Sequence, residues 1–278
     1  MNCTRYGIVF HLTWVLLLLF HSIGSAAQPL ITTRVSVNSS SIEGNNFSNH
    51  PSISADGQYV AFTSLASNLV AGDTNGATSD IFVRNRLTGE TTIASIDSSG
   101  TQGDSGSYNP SISADGQYVA FDSGASNLVA SDTNGAMSDI FVHDRLAGAT
   151  TLVSVDSSGT QGNGGSYHSS ISSDGRYIAF ESHAGNLVAG DINSSNDVFI
   201  HDRQTGKTIM ASVDSSGSHG DWASFDPSIS ADGQYVAFTS NATNLVANDT
   251  NDTEDIFVRG PGEFPWALFL PSIIGTKR

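Results

Sequence analysis

Cysteine and positive charge are scarce in this chain of 278 residues. The one cysteine, Cys3, precedes the first apolar run, so everything after that run is free of disulfides and must be held by packing alone. Eleven Lys and Arg stand against 27 Asp and Glu, a net charge of −16. Such a surface repels nucleic-acid phosphates and anionic lipid and favours cations or basic partners, so no nucleic-acid role is expected. Long hydrophobic runs are missing as well. The run at residues 8–20, interrupted by His11 and Thr13, is too short for a comfortable membrane span. No G-x-S-x-G, H-E-x-x-H or phosphate loop occurs, and no acid stands apart from the repeat described below, which excludes the familiar catalytic signatures.

The two ends differ from the middle. Arg5, the apolar run and Ser25-Ala26-Ala27 ahead of Gln28 read as a secretory signal peptide over residues 1–27. Cleavage near Ala27 removes Arg5 and no acid, taking the charge from −16 to −17. The mature chain is therefore expected outside the cytoplasm, secreted or in the periplasm or cell envelope. Residues 263–278 form an apolar tail with Phe264, Trp266, Leu268 and Phe269. It is broken by Pro265 and Pro271 and too short to span a bilayer. A tail of this kind must dock on its own domain, on a partner or on a surface.

What is abundant is repetition. Four copies of one string start at Pro51, Pro110, Ser169 and Pro227, spaced 59, 59 and 58 residues apart, and the missing residue falls between Asp191 and Asp197. Each copy holds a short strand ending in Ala-Asp-Gly or Ser-Asp-Gly, where Asp56, Asp115, Asp174 and Asp232 with the following glycine supply a tight hairpin turn. A second strand follows, such as residues 117–123, with apolar groups on both faces, the mark of a sheet covered on each side. A third strand, such as residues 139–143, leads through a short glycine turn to a β-branched fourth. Nothing between them has the length or period of a helix. Four short strands per repeat predict an all-β fold, a β-propeller of four four-stranded blades spanning residues 28–262.

The strings S-I-S-A-D-G-Q-Y-V-A-F and D-I-F-V-x-D-R-x-T-G resemble the WD40-like (PD40) repeat of TolB-type β-propellers over residues 32–260, almost the whole mature chain. The resemblance implies the propeller fold. This chain has four such repeats and no α/β domain ahead of them, so only the fold is carried over.

The last repeat leaves through Gly260-Pro261-Gly262 without its outer strand. Residues 32–37 lie 19 residues before Pro51, as residues 150–155 lie 19 before Ser169, so they read as an outer strand without a blade. Donated to the last blade, they would close the ring and remove two sheet edges. The chain is then a monomeric ring, or a dimer forming a larger one.

In an antiparallel blade the loops after strands two and four share one face, and all the long loops fall there. The chemistry on that face is an acidic turn repeated four times: Asp73, Asn75 and Asp80; Asp132, Asn134 and Asp139; Asp191, Asn193 and Asp197; Asp249, Asn251 and Asp255. Oxygen ligands at alternate positions resemble half of a calcium loop, so these are candidate Ca2+ ligands. Asp and Asn also form such turns through their own backbone, and the distant bidentate Glu is missing. Arg86, Arg145 and Arg203 follow strand three and should bond backbone or an acid between blades. His143 and His201 stand where Arg84 and Arg259 stand in the other copies, which suits a hydrogen-bonding role, and the spacing of the six mature-chain histidines brings no metal ligands together.

Trp222 breaks the repeat, replacing Ser105 and Gly164, and is the candidate binding residue. A catalytic group is needed once, whereas these acids recur. The reading is therefore a secreted, non-catalytic module that needs no cofactor and binds a protein or a cell-surface glycan. An extracellular propeller hydrolase or lyase acting on polysaccharide or peptide is the alternative, by fold analogy.

Overall fold

The computed structural model describes residues 30–260 except Ser194 and Asp252, so the expected signal peptide over residues 1–27 and the tail over 263–278 lie outside the described residues. Residues from Arg34 onward belong to one compact unit. Of the other unit, Met1–Thr33, only residues 30–33 are described, and they hold no strand.

The described residues contain no helix and fifteen strands. The first sheet comprises β1 (Ser48–Ile53), β2 (Tyr59–Ser64), β3 (Asp80–Asn85) and β4 (Glu90–Ile93). The second comprises β5 (Ser107–Ile112), β6 (Tyr118–Ser123), β7 (Asp139–Asp144) and β8 (Ala149–Leu152). The third comprises β9 (Ser166–Ile171), β10 (Tyr177–Ser182), β11 (Asp197–Asp202) and β12 (Lys207–Met210), and the fourth β13 (Ser224–Ile229), β14 (Val236–Ser240) and β15 (Asp255–Arg259). Each is an antiparallel meander in sequence order. The Asp-Gly turns form as the sequence implies: Asp56 Oδ1 accepts from Ser54 Oγ and Gln58 N at 2.6 and 2.9 Å, and Gly57 has φ 70°.

The core lies between sheets. Ala61, Ile81, Val83 and Ala94 of the first sheet pack on Ile112, Val119, Phe121 and Phe141 of the second, and the pattern recurs at the next two junctions. Each large apolar side chain buried in this way contributes roughly 1.5–3 kcal/mol. A polar clamp fixes the register. Tyr59 lies over the Gly116 turn of the next blade so closely that a Cβ there would sit 2.2 Å from its ring, and the Arg145 guanidinium covers the ring at 4.5 Å. Tyr118, Gly175 and Arg203 repeat this one blade on. Arg145 and Arg203 thus reach across the junction as expected, while Nη1 of Arg145 also donates to Gly116 O of its own blade at 2.6 Å. Among the described residues Arg86 bonds only its own blade, donating to Gly57 O at 2.7 Å.

The last blade corrects one expectation. Its sheet has three strands, and no described segment pairs with the outer edge of β15. Residues 32–37 form no strand there. Val37 bridges to Glu43, its carbonyl accepts from Thr91 Oγ1 at 2.6 Å, and the Asn38 carbonyl accepts from Arg84 at 2.9 Å. These bonds hold residues 37 and 38 to the first blade, as Thr150 and Thr208 hold the Ile96 and Val155 carbonyls of the other interblade links. Ile256 and Val258 are 70% and 64% exposed, where the equivalent Ile81 and Val83 are fully buried because the face of the next sheet packs on them; among the described residues no sheet packs on the last one in this way.

The clamp gives a direct test by urea denaturation. Gly159→Ala, at φ 87° in open space, is expected to cost only the left-handed backbone penalty of roughly 1–2 kcal/mol. Gly175→Ala, at φ 72° and 2.2 Å from Tyr118, should cost about 2 kcal/mol more. Equal losses would show that the tyrosine contact is not part of the junction.

Candidate functional site

The innermost strand of every blade is an edge strand carrying a bulge. Asn49 pairs with Thr63 and Ser52 with Ala61, so His50 and Pro51 together oppose the single residue Phe62. The other blades place Asn109 and Pro110, His168 and Ser169, and Asp226 and Pro227 in the same way. Proline is tolerated there because an edge strand at a bulge has no ladder bond to donate. The residue before it is left-handed each time, with φ of 47°, 51°, 48° and 52° for His50, Asn109, His168 and Asp226. Asn, Asp and His are the non-glycine residues that best tolerate such a backbone, which accounts for part of the choice. The bulge also sends these side chains inward, where all four blades line one groove of about 380 Å³ along the propeller axis.

A second row stands behind the first. Thr63, Asp122, Glu181 and Thr239 occupy one position of the second strand, so two of the four copies carry a carboxylate. Asp122 is 2% exposed, and its Oδ1 accepts from Asn109 Nδ2 at 2.9 Å and from His168 N, in the next blade, at 3.3 Å. Glu181 is 6% exposed. One of its oxygens lies 3.1 Å from His168 Nδ1, and the other accepts from Asp226 N of the next blade at 2.7 Å. Each carboxylate thus ties the bulge of its own blade to that of its neighbour. Burial pushes Asp122 up to about 6. Burial also raises Glu181, but the bonds from His168 and Asp226 outweigh it and leave Glu181 lowered, while the Glu181 bond raises His168.

The acidic turns lie elsewhere, on the long-loop face as expected. Asp80, Asp139 and Asp197 are fully buried and accept from Ser95, Ser154 and Ser212 hydroxyls at 2.7, 2.6 and 2.7 Å. Burial raises all three, Asp80 and Asp197 to about 6. In the first two blades a glutamine amide joins the pair of acids. Gln102 Nε2 lies 3.3 Å from Asp73 and 2.8 Å from Asp80, and Gln161 Nε2 lies 3.1 Å from Asp132 and 2.8 Å from Asp139. Asn75 and Asn134 donate to the Gly103 and Gly162 carbonyls. In the third blade His219 replaces the glutamine, and its Nδ1 is buried and without a partner. There Asn193 donates to Asp197 at 2.9 Å, as Asn251 does to Asp255 in the fourth. Trp222 is 62% exposed on the same long-loop side, apart from the groove. His143 and His201 bond Thr150 and Thr208 at 2.9 Å, the structural role expected of them.

Two expectations are therefore corrected. Asp122 and Glu181 do stand apart from the repeat, and the fold brings His168 together with Glu181 and Asp226, whose donor atoms lie within 4.8 Å of one another. The signal was the changing letter in Y-V-A-F-T-S, Y-V-A-F-D-S and Y-I-A-F-E-S.

Asp122 yields a pH test. Its folded pKa lies above the ordinary value, so the stability it contributes is present in acid and lost as pH rises from about 4 through about 6. Asp122→Asn keeps an oxygen for both donors. It is expected to raise stability by roughly 1–3 kcal/mol at pH 8, with the gain shrinking toward pH 4 in paired denaturant titrations. A gain independent of pH would remove the buried charge as its cause.

No protein-family model matches this chain, and no curated protein matches it in sequence. Solved structures do. TolB from Acinetobacter baumannii is 18% identical with a TM-score of 0.47, covering 77% of this chain and 41% of its own. The β-propeller domain of the Trilobed protease from Pyrococcus furiosus is 12% identical at a TM-score of 0.41, covering 78% and 55%. An acylaminoacyl peptidase from Pyrococcus horikoshii is 13% identical at 0.41, covering 77% and 31%. The chain spans less than two thirds of each of these. The likeness is one of fold alone, and the all-β architecture stands on the chain's own four antiparallel sheets.

Proposed function

We propose that this chain is a non-catalytic recognition module, exported by its signal peptide, that binds a segment of protein or cell-surface glycan in the axial groove. One observation carries the reading. A chain that repeats itself at nearly every structural position changes letter at the bulge and at the residue behind it, giving His50, Asn109, His168 and Asp226 over Thr63, Asp122, Glu181 and Thr239. Packing asks only for a left-handed backbone at the first of these rows, and glycine would serve. Imidazole, amide and carboxylate groups on one rigid wall instead suit a ligand rich in hydroxyls or peptide groups.

The hydrolase alternative has less support. A general acid must reach its substrate, whereas the perturbed Asp122 is buried behind the bulge with its hydrogen-bonding oxygen shared by Asn109 and His168. Pull-down and glycan-array binding with the mature protein test the proposal. Expected is a bound protein or glycan whose affinity falls tenfold or more in Asn109→Ala and Asp226→Ala. Trp222→Ala reports whether the long-loop face shares the ligand. Cleavage of the bound glycan or peptide, or binding unaffected by both groove variants, would overturn it.

Calcium enters this proposal at the acidic loops where no glutamine bridges the acids among the described residues, Asp191 with Asp197 and Asp249 with Asp255, and the third, where Asp197 is fully buried, is the one to test. Added calcium is expected to raise the melting temperature, a chelator to reverse the rise and Asp191→Asn to abolish it.

A further inference from the structure

Three side chains at the junction of the third and fourth blades meet the requirements of a metal centre. His168 Nδ1 lies 3.1 Å from Glu181 Oε1 and 3.8 Å from Asp226 Oδ1. Ligands held 2.0–2.2 Å from one tetrahedral ion lie roughly 3.3–3.6 Å apart, so these separations bracket what a shared ion needs. The donor set is one imidazole and two carboxylates, whose two negative charges match a divalent cation. The second oxygen of Glu181 is already held by Asp226 N at 2.7 Å, so a ligand that is nine-tenths buried is aimed before any ion arrives. His168 and Asp226 are exposed to the groove, which gives an ion its path.

An independent observation lies beside them. Ser169 takes the place of Pro51, Pro110 and Pro227, and it does so only in the blade that carries both the histidine and the glutamate. It is 9% exposed, lines the same groove, and its hydroxyl has no hydrogen-bond partner. Proline would satisfy the bulge without leaving a buried hydroxyl unpaired, and such a hydroxyl costs roughly 1–3 kcal/mol. A water or ligand on the ion could satisfy it. The neighbouring junction is different: Asn109 donates its amide to Asp122, occupying the carboxylate that an ion would need.

We propose that His168, Glu181 and Asp226 bind one divalent transition-metal ion of the zinc class, leaving a coordination position open to the axial groove. This deepens the recognition reading, because the open position would hold an oxygen of the groove's ligand. The test uses the mature protein stripped with a chelator and then titrated with zinc alone by calorimetry, with cobalt as a spectroscopic substitute. One ion per chain is expected, with visible cobalt absorption. His168→Ala and Glu181→Gln should each weaken binding at least tenfold. Glu181→Gln still accepts from Asp226 N, so an unchanged melting curve in chelator separates lost coordination from lost folding. His50→Ala, at the same bulge over Thr63, and Asp191→Asn, in the calcium loop, should leave zinc affinity unchanged. Absence of one-to-one binding, or undiminished binding by His168→Ala, overturns the inference. Protein or glycan capture by the chelated protein would stand regardless, so the two readings can fail separately.

Discussion

No blade of this protein has a dry face of its own. The second and third strands carry apolar side chains on both sides, so a sheet alone in water would expose as much hydrocarbon as it covered. Each blade therefore depends on a neighbour to cover its apolar face, and every junction must offer the same surface to the next. Ala61, Ile81 and Val83 meet Ile112, Val119 and Phe121 at one junction, and their counterparts repeat the contact at the others. Dispersion and burial set the strength of the stack but do little to fix its register. The Tyr59–Gly116–Arg145 clamp does that: an aromatic ring fits only over a residue without a Cβ, and the guanidinium closes the other side of the ring.

The requirement for identical junctions explains why the sequence is so uniform, and why the exceptions are informative. Ile256 and Val258 carry the junction-forming side chains without a described partner, because no described sheet packs on the far face of the last blade. Near the axis, by contrast, variation is free of this constraint. The bulged strand gives the core its isoleucine, Ile112, Ile171 or Ile229, but the residue before the proline belongs to no core cluster, so it can change identity while the backbone keeps its left-handed turn.

Much of this was legible in the residues themselves. Asp-Gly turns, two-faced strands and the long loops gathered on one side all follow from local rules, and each is present. The arginines after strand three and the histidines at 143 and 201 were readable as structural because they recur. The axial site was hidden for two reasons. A bulge does not show in hydrophobic alternation, since the strand on either side keeps its pattern, and so His50 and its counterparts read as the approach to a strand. Asp122 and Glu181 read as ordinary members of an alternating strand, because the sequence does not say that the next blade's backbone N–H groups point at them. The glutamine amide between Asp73 and Asp80 was equally invisible, since Gln102 lies 22 residues beyond the second acid. Placing residues 32–37 in the last blade rested on spacing, and the described residues show no such pairing; the bonds from Thr91 and Arg84 to residues 37 and 38 do not argue against it, since Thr150, Thr208 and Arg259 make the same bonds to the link from the blade before.

The four left-handed positions work as a short word, His-Asn-His-Asp, written on a fixed page. Because each letter stands on its own blade and none is shared with a core, a new word requires four point substitutions and no compensating repacking. A chain built this way can change the chemistry of its axial wall faster than it can change its shape. The two letters bound to a carboxylate behind them that also takes the next blade's backbone N–H, Asn109 with Asp122 and His168 with Glu181, are where such rewriting would be slowest.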